Sequence, residues 1–410
     1  MSYQSEGWEP TREAAREALE DFLPRAGDYY QRQRNYDRGP GDRANVSQLS
    51  PWVRVRLISE SEIIQRTLQQ HSKTAAEKFI QEVCWRTYWK GWLEMRPLIW
   101  RHYREEIARD SQRWEGDEAC GRALAGLTGI DCFDAWAREL VETGYLHNHA
   151  RMWFASIWIF TLGLPWALGA DFFIRHLLDG DPASNTLGWR WVAGLQTPGK
   201  NYIARKSNIR KYTEGRFRLD AGLNEDAAAP EPTGEAPPPK EPEPLPWQPP
   251  RGRAGLFLHE DDLSLDQWLE GARFAAAAGA LPRAVYAEAG LSEKVTAFRS
   301  QALDKALERH AGVFQAGEPE RLSGDEPARE IAGWARERQL DTVVMAKPFT
   351  GWWSGLGADI EAALRESGCR LQLIRRPWDE ALFPHAKRGF FAFRKQMGEP
   401  VRRAAAGDLR

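Results

Sequence analysis

The chain has 410 residues, a formal net charge of −2 and four cysteines, Cys84, Cys120, Cys132 and Cys369. That length allows two or three domains with cores of ordinary size. The cysteines have neither the C-x-x-C spacing of a zinc site nor the density of a disulfide framework, so no metal is expected and a reducing cytoplasm fits best.

In chain order, Arg12 to Phe22 repeats its apolar residues at helical period and predicts an amphipathic helix. Asn45-Val-Ser-Gln-Leu-Ser-Pro51 then leads into the amphipathic run Trp52 to Ile64, with Ser50 as N-cap and Pro51 at the first helical position. A helix start with hydroxyls beside its free N–H groups suits an anion such as a pyrophosphate. Helical patterns follow at Ala75 to Glu94, Cys132 to Glu142 and Asn148 to Thr161. Met152 to Ala170 is nineteen residues without a charge, the length of a membrane span. Pro165 and three tryptophans interrupt it, so it reads as a helix buried on all sides, and no membrane partner is expected.

Residues 1–220 carry 31 basic and 29 acidic side chains, whereas residues 221–410 carry 25 and 29. Lys200 to Arg218 concentrates seven basic residues around a single Glu214, a ribbon of the kind that contacts phosphates. Residues 224–253 form a linker, because ten prolines between Pro230 and Pro250, interleaved with Glu and Ala, cannot bury a core. Beyond it, short apolar runs at Gly255–His259, Arg283–Ala287, Gly312–Gln315, Thr342–Ala346 and Arg370–Ile374 alternate with helical stretches such as Lys294–His310 and Glu326–Gln339. That rhythm predicts a parallel sheet with helices on both faces. The expected organisation is a mainly α-helical domain at 1–223, the linker, and an α/β Rossmann-like domain at 254–410.

Two stretches gather polar chemistry inside a core-like segment: Thr143-Gly-Tyr-Leu-His-Asn-His-Ala-Arg-Met152 and Leu178-Asp-Gly-Asp-Pro-Ala-Ser-Asn-Thr-Leu-Gly-Trp-Arg-Trp191. A buried cation needs carboxylate partners. An amide, an arginine, paired aspartates and two close tryptophans together point to a buried flavin.

The order and spacing resemble the FAD-binding domain of the photolyase/cryptochrome family, whose pattern reads TGW-x-HNR-x-RM, LD-x-D-x-A-x-N and WQW. The resemblance implies FAD held by an Arg151–Asp179 pair, Gly180, Asp181 near the flavin ring and Asn185 facing its N5. Asn45 to Pro51 resembles the family's G-T-S-R-L-S-P, which implies phosphate contacts from Ser47, Gln48, Leu49 and Ser50. Val46 replaces the usual Thr there and Gln48 the usual Arg. Tyr30, four residues before Arg34, resembles the Tyr-x-x-x-Arg lead-in whose Tyr touches FAD.

Glu82-Val-Cys-Trp-Arg-Thr-Tyr88 resembles the family's E-L-I-W-R-E-F, implying a base pocket of Glu82, Trp85, Arg86, Asn148, Met152 and Trp191. Trp189, Trp166 and Trp114 fall where the family has its three-tryptophan electron path. Lys200, Arg205 and Lys206 are the candidate phosphate contacts for damaged DNA. Against a simple transfer of repair stand Thr87 for Glu, His149 for Arg, Leu187 for Gly and Arg190 for Gln. Arg190 is expected to narrow the pocket or to meet a DNA phosphate. Asn148 after His147 disfavours the (6-4) subgroup, which has a second His there. The resemblance therefore implies a blue-light lyase that repairs cyclobutane pyrimidine dimers from reduced FAD, with a cryptochrome-like photoreceptor as the alternative. The family places its α/β domain first, so the order here implies circular permutation. Leu256 to Leu265 and Leu382 to Phe391 resemble the two ends of that α/β domain. Gly351-Trp-Trp-Ser-Gly-Leu-Gly357 is a candidate border for a second, antenna chromophore, which the residues themselves do not support.

Overall fold

The computed structural model describes residues 7–197, 199–229, 236–269 and 271–409. Among them, every regular element before residue 254 is helical. The first expected helix has the predicted bounds, Arg12–Phe22, because Thr11 caps it by accepting from the Ala14 N–H. The longest helix of this half, Glu77–Glu94, runs through its centre. Asn148–Ser156 continues into a wider π turn, Ile157–Thr161. The chain then breaks before Trp166–His176, so the uncharged stretch is two buried segments, and no helix among the described residues is long and apolar enough to cross a membrane.

The run from Trp52 to Ile64 is not one helix. A five-residue helix, Ser50–Arg54, ends in a turn where Arg56 adopts φ +52°, and a second helix begins at Glu60. Ser50 is thus the first helical residue and makes no cap; the residue before it is Leu49. The break costs backbone strain at Arg56, and the pairing of its guanidinium described below offsets it.

The α/β half is a five-stranded, wholly parallel sheet in the order β3-β2-β1-β4-β5. The strands are β1 Ala254–Leu258, β2 Ala276–Gly279, β3 Glu320–Arg321, β4 Thr342–Ala346 and β5 Arg370–Ile374. Three were predicted in place. Arg283–Ala287 and Gly312–Gln315 are instead helical, within Arg283–Glu288 and at the end of Glu293–Phe314. The real β2 is Ala-Ala-Ala-Gly, which carries no β-branched signal. Its small residues serve close approach: a Cβ on Gly279 would lie 2.9 Å from the Leu258 carbonyl oxygen.

The proline-rich stretch at 230–235 lies outside the described residues. The rest is strapped to the body rather than free. Lys240 N–H donates to Met95 O, and Arg375 N–H donates to Leu245 O. The Leu245 N–H donates to Glu380, and Arg96 Nε to Pro237 O.

Sheet order reverses between β1 and β4, the switch point where open α/β sheets form a crevice at the carboxyl ends of their strands. Here the helical half fills it. Arg54 donates to Asp261 at 2.9 Å, and Arg56 makes a bidentate pair with Asp379 at 2.6 and 2.8 Å. Asp262 is gripped by Arg376 at 2.6 and 2.7 Å and lies 3.5 Å from Arg56. All of these side chains are buried.

Candidate functional site

A cavity of about 570 Å³ opens between Asn148–Ser156, Pro182–Ala193, Glu77–Glu94 and the Val46–Ser50 segment. Its size is that of a cofactor or substrate pocket. Tyr30, Ser47, Gln48, Leu49, Ser50, Arg151, Asp179, Gly180, Asp181 and Asn185 all line it, as do Glu82, Trp85, Arg86, Asn148, Met152, Trp189 and Trp191. Residues up to 161 positions apart in sequence, from Tyr30 to Trp191, thus share one space.

On one wall, Arg151 pairs with both oxygens of Asp179 at 3.1 and 2.9 Å, and the Ser50 hydroxyl lies near this carboxylate. Burial opposes the charge of Asp179, yet Arg151 holds it below the usual carboxylate range. The next loop residue is pinned by its carbonyl: Gly180 O accepts from Arg54 at 3.0 Å and Arg299 at 2.8 Å. Asp181 caps the following helix through Oδ1, which accepts from the Ser184 N–H at 2.7 Å. Its Oδ2 faces Lys90, Arg86 and Arg54 at 3.6, 3.8 and 3.9 Å. Burial alone would raise the Asp181 carboxyl, but Lys90, Arg86 and Arg54 together drive it far down. Asn185 donates to Ala170 O at 2.8 Å, which fixes its amide at the cavity wall.

On another wall, Glu82 accepts from Arg34 at 2.6 Å. Burial raises its pKa against that pairing. Trp85 stacks on Phe390 with centroids 3.7 Å apart, and Trp191 stacks on Tyr202 at 5.6 Å. Neither Phe390 nor Tyr202 lines the cavity, so each backs its tryptophan from the far side. His147 caps the Asn148 helix through Nδ1, and burial lowers its pKa to about 4.

Arg86 lines the cavity with its Nη1 3.8 Å from Asp181 Oδ2 and a side chain only 12 % exposed, so it is an electrostatic neighbour of the aspartate and not a surface residue. Other expected residues lie elsewhere. Arg190 does not line the cavity; its guanidinium sits 5.8 Å above the Trp166 ring. Thr87 is fully buried on the opposite helix face and accepts from Trp378 of the α/β half at 2.9 Å. Thr87 therefore serves the packing of the two halves and does not line the pocket. Trp166 and Trp114 lie outside the cavity and are half-buried. Lys200 and Arg205 are exposed and Lys206 is half-buried, also outside it. Lys90, Arg54, Arg56 and Phe390 went unmarked in the sequence because their partners lie far along the chain.

The family model described as the FAD binding domain of DNA photolyase matches residues 79–216, which supply most of this cavity. Through this segment the chain is similar to the photolyase/cryptochrome family. A deoxyribodipyrimidine photo-lyase from Streptomyces griseus is 36% identical over 194 residues, 43% of this chain and 42% of that protein. One from Thermus thermophilus is 34% identical over 202 residues, 48% and 45% of the two chains. The crystal structure of a class III photolyase from Agrobacterium tumefaciens aligns at a TM-score of 0.44 with 28% identity, covering 51% of this chain and 44% of that one. The chain thus spans less than half the length of the curated relatives it matches.

The cavity suits the family's FAD. Ser184 Oγ and Arg86 Nη1 are buried without a hydrogen-bond partner in residues that line it. The cavity is aromatic and aliphatic on the Trp189, Phe173 and Leu177 side and polar at Ser47, Ser50 and Arg151. A flavin asks for that division between ring and phosphates.

Proposed function

We propose that the protein is a light-driven repair enzyme for cyclobutane pyrimidine dimers in DNA. The observation that supports this reading is the convergence of flavin-type and base-pocket residues on one cavity: Arg151, Asp179, Asp181 and Asn185 beside Glu82, Trp85, Asn148 and Trp191. FAD supplies the photochemical electron transfer. The chain's own residues then have separable tasks. Ser47, Ser50 and the Arg151–Asp179 pair hold the cofactor, and Asp181 and Asn185 set the polarity beside its ring. Two backed tryptophans offer stacking faces to a flipped dimer, which offsets the cost of extrusion from the duplex. Glu82 and Asn148 give the bases hydrogen bonds. The helical half preceding the α/β half is read as a circular permutation, with the linker at 224–253 joining domains 1–223 and 254–410.

Repair of dimer-containing DNA under blue light tests the reading. Glu82→Ala is expected to lower repair by roughly ten- to a hundredfold, the value of a hydrogen bond involving a charged group, while FAD stays bound. Photoreduction without any wild-type repair would favour the cryptochrome-like alternative.

Lys200, Arg205 and Lys206 are proposed as DNA-facing rim. The segment is anchored to the cavity helix Asn148–Ser156: the Ala204 N–H donates to Ser156 Oγ, and Asn208 accepts from Trp153. A Lys200/Arg205/Lys206 triple Ala variant is expected to lose roughly 0.9 of log–log salt slope per contact on duplex DNA. A slope equal to wild type removes the segment from the interface.

A further inference from the structure

Lys90, like Arg54, joins the Asp181 group to both halves of the molecule. Its ammonium is buried, makes no hydrogen bond, lies 3.6 Å from Asp181 Oδ2 and sits 3.7 Å from the ring centroid of Phe349. Phe349 follows β4 at the switch point, and its N–H donates to Asp261, the partner of Arg54. An ammonium without hydrogen bonds in a dry site is costly. Here an aromatic face and a carboxylate at non-bonded distance hold it. The same carboxylate lines the flavin cavity, whereas Lys90 does not.

We propose that Lys90 is a positioning residue for the flavin site: its charge compensates Asp181 from beneath the cavity floor, and Phe349 of the α/β half keeps it there. Packing of the two halves thereby sets the field at the bound cofactor. This rests on the assignment of the cavity to FAD. With Lys90 neutral, Asp181 is less compensated, and its negative field opposes the charge that reduction adds to the flavin. Reduction then becomes harder. The groups that face Lys90 are Asp181, Glu60, Arg54 and Arg56, with Arg86 on its own helix and Asp261 across the switch point. Burial, opposed by Asp181, lowers the Lys90 pKa to about 8.

The test measures the reduction potential of FAD bound to the full-length protein. Lys90→Met is expected to weaken the preference for reduced over oxidised flavin about tenfold, a shift of about 30 mV to more negative potential for a two-electron couple. Lys90→Arg, which keeps the charge, is expected to match wild type at pH 7. Phe349→Leu is expected to shift in the direction of Lys90→Met, and an unchanged potential there overturns the part played by the α/β half. A second measurement does not depend on the Met variant folding: the wild-type potential falls more steeply above about pH 8, and Lys90→Arg lacks that break because arginine does not titrate there. A Lys90→Met potential equal to wild type overturns the proposal, and so do parallel pH profiles for wild type and Lys90→Arg. Failure of wild type to bind FAD overturns the cofactor assignment and the proposal with it.

Discussion

Arg56→Ala is expected to destabilise the protein by about 3–5 kcal/mol, the cost of breaking a buried ion pair from one side. The guanidinium pairs bidentately with Asp379 at 2.6 and 2.8 Å and reaches Glu60 at 3.2 Å and Asp262 at 3.5 Å. Removing it leaves Asp379 and Glu60 charged in a dry interface, whereas Asp262 keeps Arg376. Two companions separate the causes. Asp379→Asn added to Arg56→Ala removes one stranded charge and is expected to recover part of the loss. Arg56→Gly is expected to be milder than Arg56→Ala by roughly 1–2 kcal/mol, because φ +52° strains any residue with a Cβ. Equilibrium denaturation of the three variants measures all of this, and a loss under about 1 kcal/mol for Arg56→Ala would mean that the pair breaks even against solvation.

The same interface has a pH signature. Burial works against the Asp262 carboxylate, but Arg376 and Arg56 hold its pKa at about 2, below the ordinary aspartate value. A folded pKa below the unfolded one gives stability that is present above the unfolded value and lost as pH falls through the folded one. Support from Asp262 is therefore complete near neutrality and fades between about pH 4 and pH 2.

This interface also marks the limit of what the sequence made legible. The helix at Arg12–Phe22 and the core strands β1, β4 and β5 could be read because local period and apolar runs encode them. The Arg151–Asp179 pair could be read because both residues sit in short motifs with fixed spacing. Arg54 and Arg56 could not. They lie in a run that looks amphipathic, and their partners Asp261 and Asp379 are more than two hundred positions away. The β2 strand was missed for the opposite reason: three alanines and a glycine carry no strand propensity, and their value lies in how closely Leu258 can approach. Arg86 was assigned from a motif and Thr87 marked as a departure from it, yet one residue's step around the helix sends the first toward Asp181 and the second into contact with Trp378. Motif spacing located the cavity, and it left open which face of the helix each neighbour takes.

Trp189→Phe is expected to slow photoreduction of the bound flavin by at least tenfold while FAD remains in place, because phenylalanine is much harder to oxidise than tryptophan. Trp189 lines the cavity and is packed so closely that a Cβ on Gly169 would lie 2.4 Å from its ring, so a smaller aromatic is accommodated where a larger one is not. Two tryptophans are candidates to refill Trp189. Trp158 is its edge-to-face neighbour at 6.4 Å, fully buried, with its N–H bonded to the neutral carbonyl of Pro165 at 2.8 Å. Trp166 is half-buried, and the Glu106 carboxylate lies near its N–H, although Arg190 lies above its ring. Loss of an electron leaves a positive indole. A nearby carboxylate and access to solvent stabilise that charge far better than a buried amide carbonyl does. The electron path is therefore expected to leave through Trp166 toward Trp114, which follows the helix Leu98–Arg113. Trp166→Phe is expected to slow photoreduction nearly as much as Trp189→Phe, and Trp158→Phe to leave it close to wild type. Transient absorption on the three variants reads the order directly, and a Trp158→Phe protein slower than Trp166→Phe would place the path through the buried ring instead.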